Sequence, residues 1–258
     1  MSGTGWLGAV MATAGLVLPM AFSPAHAAAA SDDRIPTSAG DLAIHAIHHA
    51  AMTLTWNGIV ILVDPAPDPA GPKAADPVAE FKALPAPNVI LYTHDHADHY
   101  NVDVLTAVAG KATIVAPKEV ADKIPDSLKG QIKVMANGDT GTVDGIPIQA
   151  VAMYNTTPER LSYHPRGGGN GYVLSLGGKR IYIAGDTEET PEMRALTGID
   201  VVFLPMNLPF TMDIDHAAQA VRDFRPKIVY PYHYAGSDVQ AFKAKVGKAA
   251  DVRLLKWY

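Results

Sequence analysis

The stretch LYTHDHADHYN, residues 91–101, places three histidines and two aspartates within the six positions 94–99, in a chain that holds ten histidines in 258 residues. Chance produces His-x-His-x-Asp-His in roughly one chain of this composition in a thousand, a low false-positive risk for a motif. His94 and His96 are two apart, as are His96 and Asp98. On a helix such neighbours diverge. On a regular strand they share a face, but His99 then points away. An irregular turn just past the end of a strand aims all four inward. The preceding NVILY (88–92) is the continuous apolar run of a buried strand, and strand ends in α/β sheets are where ligand sites lie. A solvated polar loop gives no reason to crowd imidazoles together. A cation does, because it binds them in neutral form. The chain has no cysteine, so a metal must be held by histidine and carboxylate.

Outward from this turn the chain reads as strands, then strands and helices in alternation, twice. LAIHAIHHA, MTLTW and IVILVDP are successive strands, with a hairpin signal at Asn57-Gly58. VDVLTAVAG and PKEVADKI have helical character, and ATIVA and QIKVM are strands. The second half opens with the hairpin pattern TGTVDGIPIQAVAM. A long polar loop, YNTTPERLSYHPRGGGN, leads to GYVLSL and KRIYIAGD around Gly177-Gly178. DVVFLP, the helix DHAAQAVRDF, the strand KIVYPYHY, a helix near DVQAFKAKV and a last strand VRLL complete it. Two sheets packed face to face with helices outside bury all of these strands, which predicts one α/β domain of αββα type over 41–258.

Composition narrows the function classes. Hydrophobic residues make up 48% and charged residues 18%, the balance of a packed globular protein. The net charge is −5 with no basic block. That argues against nucleic acid or an anionic membrane as partner. Met1 to Ser31 contains no Asp, Glu, Lys or Arg, and the apolar run Trp6–Phe22 is followed by Ala25-His26-Ala27. The small-x-small triplet has the form of a signal-peptidase site, and the run is short of the ~20 residues a membrane span needs. The expectation is a signal peptide over 1–27, an exposed segment over 28–40, export to the periplasm, and no stable span after cleavage. The segment before the apolar run lacks the usual Lys or Arg.

The motif THDHADH resembles the signature of the metallo-β-lactamase superfamily, hydrolases with one or two metal ions. Other landmarks fall in the same order: HHA at 48–50, VDP at 63–65, AGDT at 184–187 and PYHY at 231–234. The resemblance runs from Asp41 to the C-terminus. It is nearest the branch that includes ascorbate-6-phosphate lactonase-like proteins and the N-acyl-phosphatidylethanolamine-hydrolysing phospholipase D. It implies that His94 and His96 bind a first metal, and that Asp98, His99 and His233 bind a second. Asp186 would bridge the two, and Asp98 would also orient the nucleophile. His49 would stand beside the ligands.

One landmark is missing. The family presents a further histidine to the first metal before the GYVL-like hairpin, where this chain reads AMYNTT. Tyr154 or Asn155 stands at that place, and either is a candidate for substrate or oxyanion contact. His164 in LSYHPRGGGNG is the nearest histidine, and it reaches the metal if the loop folds back through Gly167-Gly168-Gly169. With nitrogen and oxygen ligands Zn²⁺ is the default, and two ions fit the pattern; Mn²⁺ and Fe also suit such ligands. The resulting expectation is a metal-dependent hydrolase of a small-molecule substrate, an ester, lactone or phosphodiester. The alternatives are an iron-dependent redox enzyme of the same fold and a non-catalytic metal-binding protein.

Overall fold

From Asp32 to Val63 the chain runs up and down through four antiparallel strands: β1 (Asp32–Thr37), β2 (Gly40–His48), β3 (Ala51–Trp56) and β4 (Ile59–Val63). The β3–β4 turn is Asn57-Gly58 with both residues at positive φ, 48° and 78°. That is the backbone a two-residue hairpin of the type I′ class requires. Three parallel strands follow, β5 (Val89–Leu91), β6 (Thr113–Ala116) and β7 (Ile132–Val134). Helices α1 (Pro77–Lys82), α2 (Val102–Val108) and α3 (Lys118–Ala121) lie between them in the chain. The structure, a computed structural model, describes residues 1–4, 31–68 and 76–258.

The second half repeats the plan. β8 (Thr140–Val143), β9 (Ile146–Ala152), β10 (Asn170–Leu176) and β11 (Lys179–Ile183) are antiparallel. β12 (Val201–Pro205), β13 (Ile228–Tyr232) and β14 (Asp251–Val252) continue in parallel. The helices are α4 (Pro191–Arg194), α5 (Ile214–Phe224) and α6 (Val239–Val246). Each half is thus a seven-stranded sheet whose strands lie in sequence order.

Three apolar clusters fix the layers. Ile44, Leu54, Ile61 and Leu91 of the first sheet pack with Ile148, Leu174, Ile181 and Phe203 of the second. The outer face of the first sheet, with Ile90 and Ile114, is covered by Phe81, Val104 and Val120 from α1 to α3. The outer face of the second, with Tyr182 and Val202, is covered by Met193, Val221 and Phe242 from α4 to α6. Neighbouring residues such as Leu91 and Ile90, or Phe203 and Val202, serve opposite clusters because side chains alternate along a strand. Continuous apolar runs such as VIL and VVFL are therefore buried on both faces, and the αββα expectation holds.

The domain begins earlier than Asp41. The segment 28–40, expected to be an exposed lead-in, contains β1, which pairs with β2 along its whole length. Only Ile35 of DDRIPT is buried, so the strand carries little hydrophobic signal. Its Pro36 fits an edge position, where no second neighbour needs the missing N–H. The expected signal peptide falls largely on residues 5–30, outside the described residues.

Six strand ends along one edge of the two sheets carry a polar residue of interest. His49 follows β2, Asp64 follows β4, and the 94–99 turn follows β5. In the second half the loop with His164 follows β9, Asp186 follows β11 and His233 follows β13.

Candidate metal centre

The first half brings its ligand atoms through one buried carboxylate. Asp64, at φ 42°, is fully buried at the end of an all-apolar strand. It accepts from the Thr93 backbone N–H at 2.8 Å and from the Thr93 hydroxyl at 2.7 Å. His99 Nδ1 lies 2.9 Å from the same carboxylate, so its Nδ1–H donates there and Nε2 faces the centre. The Thr93 oxygen also accepts from His94 Nδ1 at 3.0 Å, which frees Nε2 of His94 in the same way. Such partners set the tautomer and orientation of a metal-binding imidazole. Sequence reasoning missed Asp64 as a site residue. The available signal was a carboxylate directly after IVILV, where a buried charge is costly without partners.

The second half supplies its groups from three separate loops. Asp186 follows Gly185, whose φ is +68° and where a Cβ would lie 2.5 Å from Met153 Sδ. Only glycine fits that corner. The Asp186 carboxylate spans the centre: Oδ1 is 3.3 Å from His99 Nε2, and Oδ2 is 3.0 Å from His233 Nε2 and 3.5 Å from His164 Nε2. His233 sits at φ 44°, and its N–H donates to the His49 carbonyl at 2.9 Å, stitching the two halves together. His164 is buried, and its Nδ1–H donates to the Phe210 carbonyl at 3.1 Å. Asp98 Oδ2 is 3.1 Å from His49 Nε2 and 3.7 Å from His233 Nε2. His49 Nδ1 reaches the Tyr258 hydroxyl at 2.9 Å.

Nε2 of His94, His99, His164 and His233, together with Oδ1 of Asp186, are buried without a hydrogen-bond partner. The contacts with Asp186 are close but lack hydrogen-bond geometry. Leaving one buried polar atom unsatisfied costs about 1–3 kcal/mol. Orphaned nitrogens gathered round a carboxylate are a donor set that cations satisfy, and the residues present fit them. Three overlapping groups, each with ligand atoms within 4.8 Å of one another, could hold an ion: His94 with His96 and His164; His94 with His99 and Asp186; His49 with Asp98, His99 and His233.

The electrostatics match that donor set. Burial, then the neighbouring His99, holds His94 well below the ordinary histidine range. Burial likewise lowers His164. Both are neutral at pH 7, as a ligating imidazole must be. Burial raises the Asp186 carboxyl, but His233 and His99 outweigh it and keep the group ionised. Burial also opposes protonation of His233, yet Asp186 lifts it to about 9. A negative centre that holds extra protons in this way binds a cation in their place.

The structure brings His164 beside His94 and His96 and takes Tyr154 away from them. Tyr154 donates its hydroxyl to Glu192 at 2.9 Å, and Arg166 lies 5.2 Å from its ring centroid. The expectation of a substrate contact at Tyr154 is corrected: it is not among the residues lining the cavity, and the Arg166–Glu192 pair engages its ring and hydroxyl. Asn155 is buried but serves the loop, its amide donating to the carbonyls of Arg160 at 3.0 Å and Phe210 at 2.7 Å. Of the three glycines expected to form the hinge, only Gly167 has positive φ, 93°. Gly169 instead gives clearance, since a Cβ there would meet Met153 Cε at 2.4 Å and His94 Cβ at 3.0 Å.

The groups open into a cavity of about 780 Å³, large enough for a small organic molecule. Residues 60–234 match the β-lactamase superfamily domain. A UPF0173 metal-dependent hydrolase of Pyrococcus abyssi is 34% identical over 205 residues, covering 76% of this chain and 88% of the relative. A solved structure described as a metal-dependent hydrolase, from Parabacteroides distasonis, is 39% identical with a TM-score of 0.77, covering 87% of this chain and 99% of its own. Igni18, a metallo hydrolase of Ignicoccus hospitalis, shares the fold at 24% identity with a TM-score of 0.68, over 83% of this chain and 94% of its own.

Proposed function

The chain belongs to the β-lactamase superfamily and is one of its metal-dependent hydrolases, and from that premise we propose that it works with two divalent ions, zinc by preference, on an ester, lactone or phosphodiester. His94, His96 and His164 would hold the first ion. Asp98, His99 and His233 would hold the second, with Asp186 available to both. The observation that carries this reading is the set of buried, partnerless Nε2 atoms arranged round one carboxylate. When held there, divalent ions would supply Lewis-acid polarisation and lower the pKa of water toward neutrality.

The chain's own residues do the rest. Asp64 and Thr93 hold His99 and His94 in the tautomer that presents Nε2. The Phe210 carbonyl does the same for His164. Asp98, whose Oδ2 accepts from His49 at 3.1 Å at the cavity wall, is held ionised against burial by His233 and His49 and would orient the attacking water. His49, backed by the Tyr258 hydroxyl, keeps that carboxylate in place. His49 is also within reach of ligation itself. The sequence before Ser31 supports export to the periplasm, so the active protein is the mature chain.

Metal analysis of the purified protein, followed by chromogenic esters and phosphodiesters with and without a chelator, tests the reading. It requires about two zinc ions per chain and turnover that disappears on chelation and returns with Zn²⁺. Chelator-resistant turnover at zero metal content contradicts it.

A further inference from the structure

The cavity above the ligand atoms has a chemical character of its own. Pro67, Pro77, Ala97, Tyr163 and Phe210 form its wall. Tyr163 and Phe210 meet edge to face with centroids 5.2 Å apart. Phe210 is 42% exposed, so an aromatic side chain of the wall stands open to water. Water-exposed apolar surface in a concave site is what an apolar ligand covers.

Charge points the same way. Among the described residues, no Lys or Arg lines the cavity, whereas Asp68, Asp98 and Asp186 do. Among the described residues, Arg160, Arg166 and Lys123 on the surrounding loops are engaged elsewhere. Arg160 holds Glu188 at 2.7 Å and the Thr211 carbonyl at 2.8 Å. Arg166 pairs with Glu192 and Lys123 with Asp95, both at 2.6 Å. Away from the ions, recognition of a phosphate or carboxylate group uses Arg, Lys or a helix N-terminus; among the described residues this wall offers an anionic substituent held there no such partner. The segment 207–211 ties the wall to the centre, since the Phe210 carbonyl orients His164 while its ring faces the cavity.

We propose that the substrate is an uncharged carboxylic ester or lactone whose apolar acyl group lies against Tyr163 and Phe210, and not a phosphodiester or an anionic ester. The inference rests on the hydrolase reading above. In the step, the oxygen of water bonds to the acyl carbon and the acyl C–O bond breaks. The alcohol leaves with its oxygen, and the new carboxylic acid releases its proton to solvent. A buried methylene contributes about 0.8 kcal/mol, roughly fourfold in kcat/KM, so rate rises with acyl length until the wall is filled.

The test uses the mature zinc-loaded protein with four p-nitrophenyl substrates: the acetate, the hexanoate, the half-ester of adipic acid, and bis(p-nitrophenyl) phosphate. The hexanoate is expected to exceed the acetate by about tenfold or more, and the equally long adipate, with its terminal carboxylate, to fall at least as far below the hexanoate. Phe210→Ala and Tyr163→Ala, each checked for retained zinc and unchanged Tm, move the hexanoate-to-acetate ratio toward one. Phe210→Arg raises the adipate relative to the hexanoate. Faster turnover of the adipate or the phosphodiester overturns the substrate class while leaving the hydrolase standing. A phosphodiester rate that Lys73→Ala removes would overturn it too, by showing that a cation outside the described wall reads phosphate. No turnover of any of the four by zinc-replete protein contradicts the hydrolase reading itself, and this inference with it.

Discussion

The two halves of the molecule are built alike and supply the centre differently. Each is a seven-stranded sheet, antiparallel first and parallel afterwards. The first half delivers His94, His96, Asp98 and His99 from one turn. That turn is fixed by N–H groups of His99 and Tyr100 donating to the His96 carbonyl at 3.0 and 2.8 Å. The second half delivers His164, Asp186 and His233 from three loops. Of these His164 comes from the longest, and that loop needs its own scaffold. Glu188, two residues beyond Asp186, provides it: its carboxylate accepts from the backbone N–H groups of Thr156 at 2.7 Å and Thr157 at 2.6 Å, from both hydroxyls, and from Arg160. Local ligands are held by their own turn. Distant ligands must be held by contacts made elsewhere in the chain, and those contacts are where the centre is open to perturbation.

Mutations at the two kinds of ligand should therefore differ in kind as well as size. The largest effect is expected at His96. His96→Ala abolishes chelator-sensitive turnover and lowers zinc content, while circular dichroism and Tm of the metal-free protein stay near wild type. His96 is exposed and outside every apolar cluster, so folding does not depend on it. Full activity in a metal-depleted His96→Ala protein would break the account of the first half.

Asp186→Asn comes next. An amide keeps the shape but removes the charge between two dications, so zinc per chain should drop from two toward one, read by elemental analysis after dialysis. Two tightly retained ions would remove the bridging role. His164→Ala should weaken one ion by about 10–100-fold, the scale associated with loss of metal-supporting groups. Asn155→Ala, which loosens the loop but keeps the imidazole, should cost less. Equal affinity in His164→Ala and wild type would mean that the histidine beside His94 and His96 is not a ligand.

A smaller effect is expected from Glu188→Gln, which keeps one carbonyl acceptor for the 156–157 clamp. First-ion affinity should fall by a few-fold with the second ion untouched, the two followed by competition titration. The smallest effect lies away from the centre, at Asp200. Burial opposes its ionisation, but hydrogen bonds from Lys227 and the Arg180 N–H outweigh burial and hold its pKa below the ordinary value. A depressed carboxyl contributes stability above its unfolded pKa, about 4, and that contribution fades as pH falls through the folded value. Asp200→Asn should therefore lower Tm at pH 7 slightly and flatten the fall in Tm below pH 4.

The same contrast explains what could be read from the sequence. The first-half ligands sit within six residues, so their spacing alone excluded a helix and a regular strand. The strand runs flanking them were plain because both faces of each sheet are covered, leaving unbroken apolar stretches such as VVFL. Asp186 and His233 were legible only as partners, through the family resemblance, since a lone Asp after a strand also fits a helix cap. His164 could be named but not chosen over Tyr154 and Asn155. The choice depends on which way the chain turns after β9, and that is decided by Glu188 and by the Phe210 carbonyl, each far along the chain. Asp64 went unread because its role is to hold His99, 35 residues on, and a carboxylate after an apolar strand does not by itself name its partner. β1 escaped because an edge strand with one buried side chain has no period to detect.

The central claim is that the second half completes two adjoining cation positions, with His164 at the first. Anomalous diffraction from crystals of the zinc-loaded protein, collected on both sides of the zinc edge, tests it most directly. The account predicts two zinc peaks, one bounded by His94, His96 and His164 and the other by Asp98, His99 and His233, with Asp186 touching both. A single peak, or a first-position peak with His164 turned away, would contradict it.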